Sequence, residues 1–293
     1  MNQEKWLTKE IVLANRAKQK RRQNTAFFLL YLAAFVAVAI LFFIIAHILV
    51  NGLKEISWEF LTSSVKDAGR EGGILPIIIN TLYFVGLGLL FAAPLSVLAA
   101  IYMTEYARQG LLIKIIRYFT TNLAGIPSII FGLFGFMVFN KMLGWGYSLI
   151  SGAATVAVVI LPTLIRTSEE AIMTVPVGYK EGSLALGATK WQTMRKVVIP
   201  AASPGIINGI ILGMGRIFGE TAALLFTLGS GTNLVKGLLD SSRSLALHLY
   251  MMVKEVSASK AYGTAVVLVI IVLILNLIAG VFGRRINRYK ENL

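Results

Sequence analysis

Six long runs of apolar residues constrain what this chain can fold into more than any other feature of its sequence. A helix that crosses the hydrocarbon core of a bilayer needs roughly 20 consecutive apolar residues. The runs of this kind are 26–50, 74–101, 119–139, 147–165, 204–228 and 261–282. They predict an all-α integral membrane protein with six transmembrane helices. We interpret the first run as a retained transmembrane helix, because its 25 residues exceed the roughly 7–15 residues of the apolar core of a signal peptide.

The overall composition excludes other classes of protein. The chain has 293 residues, of which 56% are hydrophobic and 14% are charged. A soluble domain has roughly 45–50% apolar and about 25% charged residues, and a disordered chain has fewer apolar residues still. There is no cysteine, so a disulfide, a thiolate metal site and a cysteine nucleophile are all excluded.

The basic residues are distributed unevenly about the six runs, and this predicts an orientation. Of the 28 Lys and Arg residues, 19 lie before the first run, after the last, between the second and third, or between the fourth and fifth. Because the number of spans is even, these segments all lie on the same side of the membrane. Lys and Arg concentrate on the cytoplasmic side of membrane proteins, so this side is predicted to be the cytoplasm. Both termini are therefore predicted to be cytoplasmic, and residues 1–25 to form a basic tail that contacts anionic lipid. Because the basic residues are dispersed along membrane edges, we do not expect nucleic acid as a partner.

The predicted cytoplasmic connection 167–200 is longer than the roughly 2–8 residues that usually join packed helices. Its sequence predicts two short helices that are hinged near Gly187 and stop before Pro200. The second helix would place Trp191, Met194 and Val198 on one face. Either these residues pack against the protein's own spans, or the helix inserts into a groove on a soluble partner. Their spacing leaves both possibilities open.

The predicted outer connection 229–260 contains Leu245, Leu249 and Met252 at helical spacing. This spacing predicts a short amphipathic helix at the outer surface. We favour a helix packed on the ends of the spans over a docking surface for an extracytoplasmic partner.

Only one apolar run contains ionisable residues deep inside it, namely Arg216 and Glu220. In a helix these residues share a face with Gly205, Gly209 and Gly213, and such small residues mark a face where another helix approaches closely. One interpretation is a self-neutralising pair, since the two charges are four residues apart. The other is that Arg216 supplies positive charge to an anion pathway, with Glu220 holding it when no anion is present. A guanidinium group suits oxyanions such as phosphate.

The sequence contains no recognisable catalytic pattern. The glycines Gly182 and Gly187 have the spacing of a phosphate-binding loop, but Ala-Thr follows where Lys-Ser or Lys-Thr is required. The histidines His47 and His248 lie outside any metal-ligand pattern. We therefore expect no metal site and no cofactor in this chain, and we interpret it as a non-catalytic membrane subunit.

The cytoplasmic connection resembles the EAA loop of type I ABC-importer permeases. That loop has a Glu followed by small residues, a Gly six positions after the Glu, and an aliphatic-x-aliphatic-Pro ending. The matching residues are Glu181, Gly182, Ser183, Gly187, Val197, Ile199 and Pro200. Gly182 and Ser183 replace the usual two alanines.

Three further stretches are similar to phosphate-specific ABC permeases. They are 73–82, 125–135 and 215–223. Within that system the chain resembles the PstA-type subunit rather than its PstC-type partner. The resemblance implies a type I ABC-importer permease domain over residues 70–285, preceded by one additional helix.

The resemblance also implies a function and a set of partners. The chain would be a permease subunit of an ATP-driven importer of inorganic phosphate in the cytoplasmic membrane of a prokaryote. Its partners would be a homologous PstC-type permease subunit, two copies of an ATPase subunit that binds ATP and magnesium, and an extracytoplasmic phosphate-binding protein. The ATPase-coupling residues would be Glu181, Gly182, Ser183, Gly187 and Pro200, and the transport-pathway residues would be Arg216 and Glu220. The alternatives are the same architecture for sulfate, molybdate or phosphonate, and, less favoured, an autonomous secondary carrier.

Overall fold

A computed structural model of the protein describes residues 2–66, 69, 71–108, 110–255 and 258–291. Arg70, one of the residues counted for sidedness, lies outside these ranges. The chain divides into two compact units, residues 1–51 and 52–293. The first unit is formed by helix α1 (Asn2–Gly52), which continues through residue 25 without a break. The predicted basic tail and the first predicted span are therefore parts of one helix.

The second unit is almost entirely helical. Its two short strands, β1 (Val65–Lys66) and β2 (Glu71–Gly72), pair in an antiparallel register. Its helices are α2 (Trp58–Thr62), α3 (Leu75–Ile101), α4 (Leu111–Leu123), α5 (Ser128–Gly135), α6 (Leu149–Met173), α7 (Val177–Ala185), α8 (Lys190–Thr193), α9 (Ile199–Gly219), α10 (Leu245–Glu255) and α11 (Ala258–Glu291). π-helical turns extend α3 over Tyr102–Tyr106, extend α5 over Phe136–Met142, and join α8 to α9 over Met194–Val198.

The described residues contain five helices that are long and apolar enough to cross a membrane, or six if one bent pair counts as a single span. The five are Arg22–Glu55, Leu75–Tyr106, Leu149–Met173, Lys190–Gly219 and Ser259–Val281. The bent pair occupies the position of the third predicted span. The prediction of an all-α membrane protein is confirmed, and the count of six depends on this pair.

The third predicted span, 119–139, is not one helix. The segments Leu111–Leu123 and Ser128–Met142 meet at an angle of 103°. The break falls at Gly125 and Pro127, where the Gly125 N–H bonds back to the Asn122 carbonyl in a turn. The residue before a proline is disfavoured in the helical region, so Ile126 cannot easily continue the helix. The mean hydropathy of the run remains high across the break, and this is why the run resembles a continuous span.

The fifth predicted span, 204–228, is displaced towards the N-terminus. Segments α8, Met194–Val198 and α9 follow one another as the spanning helix Lys190–Gly219. The predicted stop before Pro200 is therefore wrong, because the π-helical turn ahead of Pro200 accommodates the missing N–H. At the other end, Glu220 has extended backbone angles and ends the helix, nine residues before the predicted limit.

Helices α6 and α9 pack with their backbones unusually close together. A Cβ atom on Gly205 would lie 2.6 Å from Ala171 Cβ, and one on Gly209 would lie 2.9 Å from Thr167 Cβ. A Cβ on Gly213 would lie 3.1 Å from Leu164 Cδ2. The predicted small-residue face of α9 is therefore present, and its partner is α6.

The predicted outer helix at Leu245–Met252 is present as α10. Leu245, Leu247 and Met252 are buried, and α10 packs against α11 and α3. This agrees with the packed alternative. The segment 220–244, which precedes α10, is largely non-helical and crosses the N-terminal end of α6, where the Leu149 and Ile150 amides donate to the Asp240 and Leu238 carbonyls.

We predict that Gly209→Ala destabilises the folded protein by about 1–3 kcal/mol, the cost of inserting a methyl group into a packed contact. The matched control is Gly215→Ala on the same helix, where a Cβ would meet nothing within 4 Å among the described residues. The control should be neutral or slightly stabilising, since Ala favours helix over Gly. Thermal unfolding of the two purified variants in detergent measures the difference, and equal midpoints would contradict the close packing of α6 and α9.

Candidate functional site

Arg216 lies in the last turn of α9, on the side that faces α6. Its Nη1 donates a hydrogen bond to Thr163 Oγ1 on α6 at 3.2 Å. Thr163 is adjacent to Leu164, which packs on Gly213, so the close approach of the helices sets the distance between the two side chains. Within the described part of the chain, this hydroxyl is the hydrogen-bonding partner of Arg216. A guanidinium has five N–H donors, and the partly buried Arg216 therefore retains donors for an anion.

Glu220 does not neutralise Arg216. The helix ends at Gly219, so the side-chain geometry of two helical residues four apart does not apply to this pair. Glu220 Oε1 instead accepts a hydrogen bond from the Ala223 amide at 3.1 Å, which supports the turn before Leu224–Phe226. No ion pair joins Arg216 to Glu220 in the part of the chain that the structure describes. The interpretation as a self-neutralising pair is therefore wrong for this structure, and so is the expectation that Glu220 holds Arg216 when no anion is present.

The bent span α4–α5 packs beside the segment that follows Glu220. A Cβ on Gly132 would lie 2.7 Å from Ala223 Cα. Three residues further along α5, a Cβ on Gly135 would lie 2.9 Å from Thr155 Cγ2 on α6. Helix α5, the second half of the bent span, thus contacts both α6 and the segment that follows the early end of α9. Interrupted helices are the elements from which membrane transporters build their binding sites.

Other polar residues in the apolar runs hold the fold together. Asn80 on α3 donates through Nδ2 to the Asn233 carbonyl at 2.8 Å and accepts at Oδ1 from the Val235 amide at 3.1 Å. Its neighbour Thr81 accepts from the Leu245 amide at 2.9 Å. These contacts fasten the segment 220–244 and the start of α10 to α3. Asn80 and Thr81 therefore bond across the structure.

Helices α7 and α8 form a helical hairpin, 177–193, with a turn at Gly187. The positive φ of 83° at Gly187 is a conformation that residues with a Cβ rarely adopt. Helix α8 begins with a capping box between Thr189 and Gln192. The predicted hinge near Gly187 and the first short helix are confirmed, whereas the second predicted helix is the start of the spanning helix Lys190–Gly219.

The spacing of Trp191, Met194 and Val198 was compatible with packing on the protein's own spans or with a groove on a partner. In the structure two of the three residues are buried within the chain, and one is not. Met194 and Val198 are buried in a cluster with Ile101 and Ile172. Trp191 is half exposed, and Leu186, in the turn of the hairpin, is 91% exposed. The start of the spanning helix after the hairpin therefore packs into the bundle, while the hairpin itself presents apolar side chains outward.

The face of α7 that points away from the rest of the chain consists mainly of small residues. Gly178, Glu181, Gly182 and Ala185 are all exposed. A Cβ on Gly178 or Gly182 would meet nothing within 4 Å among the described residues. Packing within this chain therefore does not require glycine at either position.

Several polar contacts between distant parts of the chain were not anticipated from the sequence. Glu105 pairs with Lys180, and Arg117 on α4 donates from Nε to Glu169 Oε1 on α6 at 2.7 Å. Thr163 likewise lacked any signal, because one threonine in an apolar run is unremarkable. These pairs join residues more than 50 positions apart, and no local periodicity marks such partners.

His248 is buried on α10, and burial lowers its pKa to about 4, with the nearby Arg243 guanidinium acting in the same direction. The neutral ring accepts a hydrogen bond at Nδ1 from Arg243 Nη1 at 3.3 Å. Among the described residues, no group of three or more His, Cys, Asp and Glu side chains is arranged to hold a metal ion. His248 therefore has a place in the packing of α10, and its neighbours do not form a metal-ligand set.

A bundle with interrupted spans and an arginine inside it is the architecture of a membrane permease. Residues 92–290 match the family described as "Binding-protein-dependent transport system inner membrane component". The chain is 37% identical to the probable ABC transporter permease YqgI of Bacillus subtilis over 89% of this chain and 94% of the relative. It is 30% identical to the phosphate transport system permease PstA of Haemophilus influenzae over 86% of this chain and 90% of the relative.

The fold is similar to that of a permease of known structure. The MetNI methionine ABC transporter, solved in inward-facing conformations, matches 73% of this chain and 94% of its own chain with a TM-score of 0.58 at 22% identity. This chain belongs to the family of binding-protein-dependent transport system inner membrane components. It is a multi-pass ABC-importer permease, a class that works with an ATPase and a substrate-binding protein.

We predict that Gly187→Val disrupts the hairpin turn, because a left-handed backbone costs a residue with a Cβ roughly 1–2 kcal/mol. Gly187→Asn is the matched control, since Asn tolerates this conformation. Limited proteolysis of membranes should cleave the Gly187→Val hairpin faster than the unaltered hairpin, with Gly187→Asn in between. Equal cleavage of all three proteins would contradict the strained turn.

Proposed function

We propose that this chain is a permease subunit of an ATP-driven importer of inorganic phosphate. The observation that carries the proposal is Arg216, a partly buried guanidinium whose partner in the described structure is a neutral hydroxyl. The similarity to relatives named as phosphate transport permeases supports the same cargo.

The chemistry around Arg216 suits a tetrahedral oxyanion. The planar guanidinium can donate two parallel hydrogen bonds to phosphate oxygens. The Thr163 hydroxyl accepts from Arg216 and has its own proton to donate, so it can contribute a third bond to the same anion. Glu220, whose carboxylate is bound by the Ala223 amide, leaves the guanidinium charge available. Both Arg216 and Glu220 are assigned to the transport pathway in this proposal.

The helical hairpin is the proposed coupling loop to the ATPase. The small, exposed face formed by Gly178, Glu181, Gly182 and Ala185 would let the backbone of α7 approach a groove on the ATPase closely. Gly187 shapes the turn, and Leu186 and Trp191 add apolar contact area. Ser183 faces the rest of the chain, and Pro200 lies in the first turn of α9, within the spanning helix Lys190–Gly219.

The complete importer would contain more than this chain. We propose a homologous PstC-type permease subunit, two copies of an ATPase that carries ATP and magnesium, and an extracytoplasmic phosphate-binding protein. The chain would lie in the cytoplasmic membrane of a prokaryote with both termini and the hairpin in the cytoplasm. In this assignment ATP hydrolysis belongs to the ATPase subunits, and this chain is not catalytic.

The cargo is tested by reconstituting the importer in liposomes with its binding protein. Phosphate is expected to stimulate ATP hydrolysis and to enter the liposomes, whereas sulfate, molybdate and phosphonate are not. Stimulation and uptake with another of these anions would contradict the phosphate assignment. Uptake by this chain alone, without the ATPase, would contradict the ATP-driven mechanism.

We predict that Arg216→Gln lowers phosphate uptake roughly tenfold or more, the scale expected for a hydrogen bond to a charged group. Arg216→Lys should retain part of the uptake because it keeps the charge but loses the planar pair of donors. The measurement is the initial rate of uptake at a range of phosphate concentrations, normalised to the amount of assembled complex. Unchanged uptake by Arg216→Gln would assign this residue a structural role only.

A further inference from the structure

Helix α7 is attached to the rest of the protein in an unusual way. The structure describes this helix in full, and none of its nine residues is buried. Two residues, Lys180 and Ser183, are partly covered, while the other seven are exposed. Residues three apart lie on one face of a helix, so α7 rests on its neighbours through a single polar edge. No apolar core therefore holds the proposed coupling helix in place.

The first contact of this edge is an ion pair between helices that are far apart in the sequence. Lys180 pairs with Glu105, which lies in the π-helical turn at the end of α3. Their side chains are 22% and 21% exposed, so the pair is screened by solvent less than a fully exposed pair would be. This pair connects α7 to the spanning helix Leu75–Tyr106. The other end of that helix carries Asn80, which fastens the segment 220–244.

The second contact connects α7 to the helix that carries Arg216. Ser183 Oγ and Thr193 Oγ1 are 2.9 Å apart and share a hydrogen bond. Thr193 is buried and belongs to the spanning helix Lys190–Gly219. Ser183 occupies a position where the EAA loop usually has alanine, so this bond depends on a residue particular to this chain.

We propose that Lys180–Glu105 and Ser183–Thr193 are positioning contacts that transmit displacement of the coupling helix to two spanning helices. One of these helices carries Asn80, which binds the segment 220–244, and the other carries Arg216. Because no buried apolar contact holds α7, breaking these two polar contacts lets α7 move with the ATPase without moving the spanning helices. The inference rests on the proposed function, because it assumes that α7 docks on an ATPase.

The ion pair is tested in the reconstituted importer by measuring the amount of substrate transported per ATP hydrolysed. Glu105→Gln and Lys180→Met should each lower this ratio about threefold to tenfold, as for the loss of one polar contact. The ATPase should still copurify with both variants, because the outward face of α7 is unaltered. The exchanged pair Glu105→Lys with Lys180→Glu should recover most of the ratio. Unchanged ratios in the single variants, or no recovery in the exchanged pair, would overturn the role of this contact.

The second contact is tested with a disulfide, which the absence of native cysteine makes specific. In Ser183→Cys with Thr193→Cys, the reduced thiols are weak hydrogen-bond partners, and the transport ratio should fall. Oxidation should join the two sulfur atoms and raise the ratio again. Ser183→Cys alone cannot form this bridge and controls for the oxidant. A ratio that falls further on oxidation of the pair would show that α7 and the Arg216 helix must separate, and would overturn the proposal.

These tests are separable from the assignment of the cargo. The transport ratio can be measured with whichever oxyanion the unaltered complex imports, and the effects of the variants do not depend on that choice. Import of sulfate by the unaltered protein would contradict the phosphate assignment and leave the two contacts fully testable. An unaltered complex that imports phosphate, with coupling insensitive to these variants, would contradict only the positioning contacts.

Discussion

The close approach of α6 and α9 determines where the other parts of this protein can lie. Gly205 and Gly209 let the α9 backbone reach α6 at distances that a Cβ would not allow without a shift, and Gly213 makes a tight contact with Leu164. In a membrane, lipid competes with protein for apolar surface, so such van der Waals contacts are a main source of helix association. The contact ends where Arg216 meets Thr163. A charged side chain is thus held at a defined position by backbone packing and one hydroxyl, and none of the described acidic residues pairs with it.

Two interruptions of helical structure meet on α6, and each has a local cause. The α4–α5 bend follows from Gly125 and Pro127, and α9 ends where Glu220 adopts an extended backbone and binds the Ala223 amide. Backbone groups released by a helix break need new partners in a low-dielectric environment. Ala223, in the segment after Glu220, is buried against Phe131 of α5 and Val159 of α6, whereas the α4–α5 bend at 124–127 is largely exposed in this chain. The geometry of the candidate site is therefore set by interrupted elements resting on the continuous helix α6.

The sequence predicted those features that depend on composition and local periodicity. The membrane class, the small-residue face of α9, the hairpin hinge at Gly187 and helix α10 all follow from patterns within about 20 residues. The limits of the helices were harder to predict, because hydropathy averages across a break. It does not reveal that the spanning helix begins at Lys190 and ends at Gly219. Partners distant in sequence, such as Thr163 for Arg216 or Glu105 for Lys180, were missed. They are determined by tertiary packing. The predicted Arg216–Glu220 pair failed for a different reason, because the helix ends at Gly219 and Glu220 binds the Ala223 amide.

The core of the bundle is apolar, whereas α7 is attached by polar contacts. This difference fits the role in coupling that we propose for α7. An apolar core is close-packed and resists displacement, because separating its side chains costs the free energy of their burial. A helix held by an ion pair and a hydroxyl contact can shift and re-form its bonds at much smaller cost, since water replaces them when they break. The same polar contacts are directional, so they specify which neighbours α7 pulls on. For the coupling that we propose, in which α7 acts on Arg216 and on Asn80 through different helices, two separate polar contacts are therefore a better attachment than one continuous apolar face.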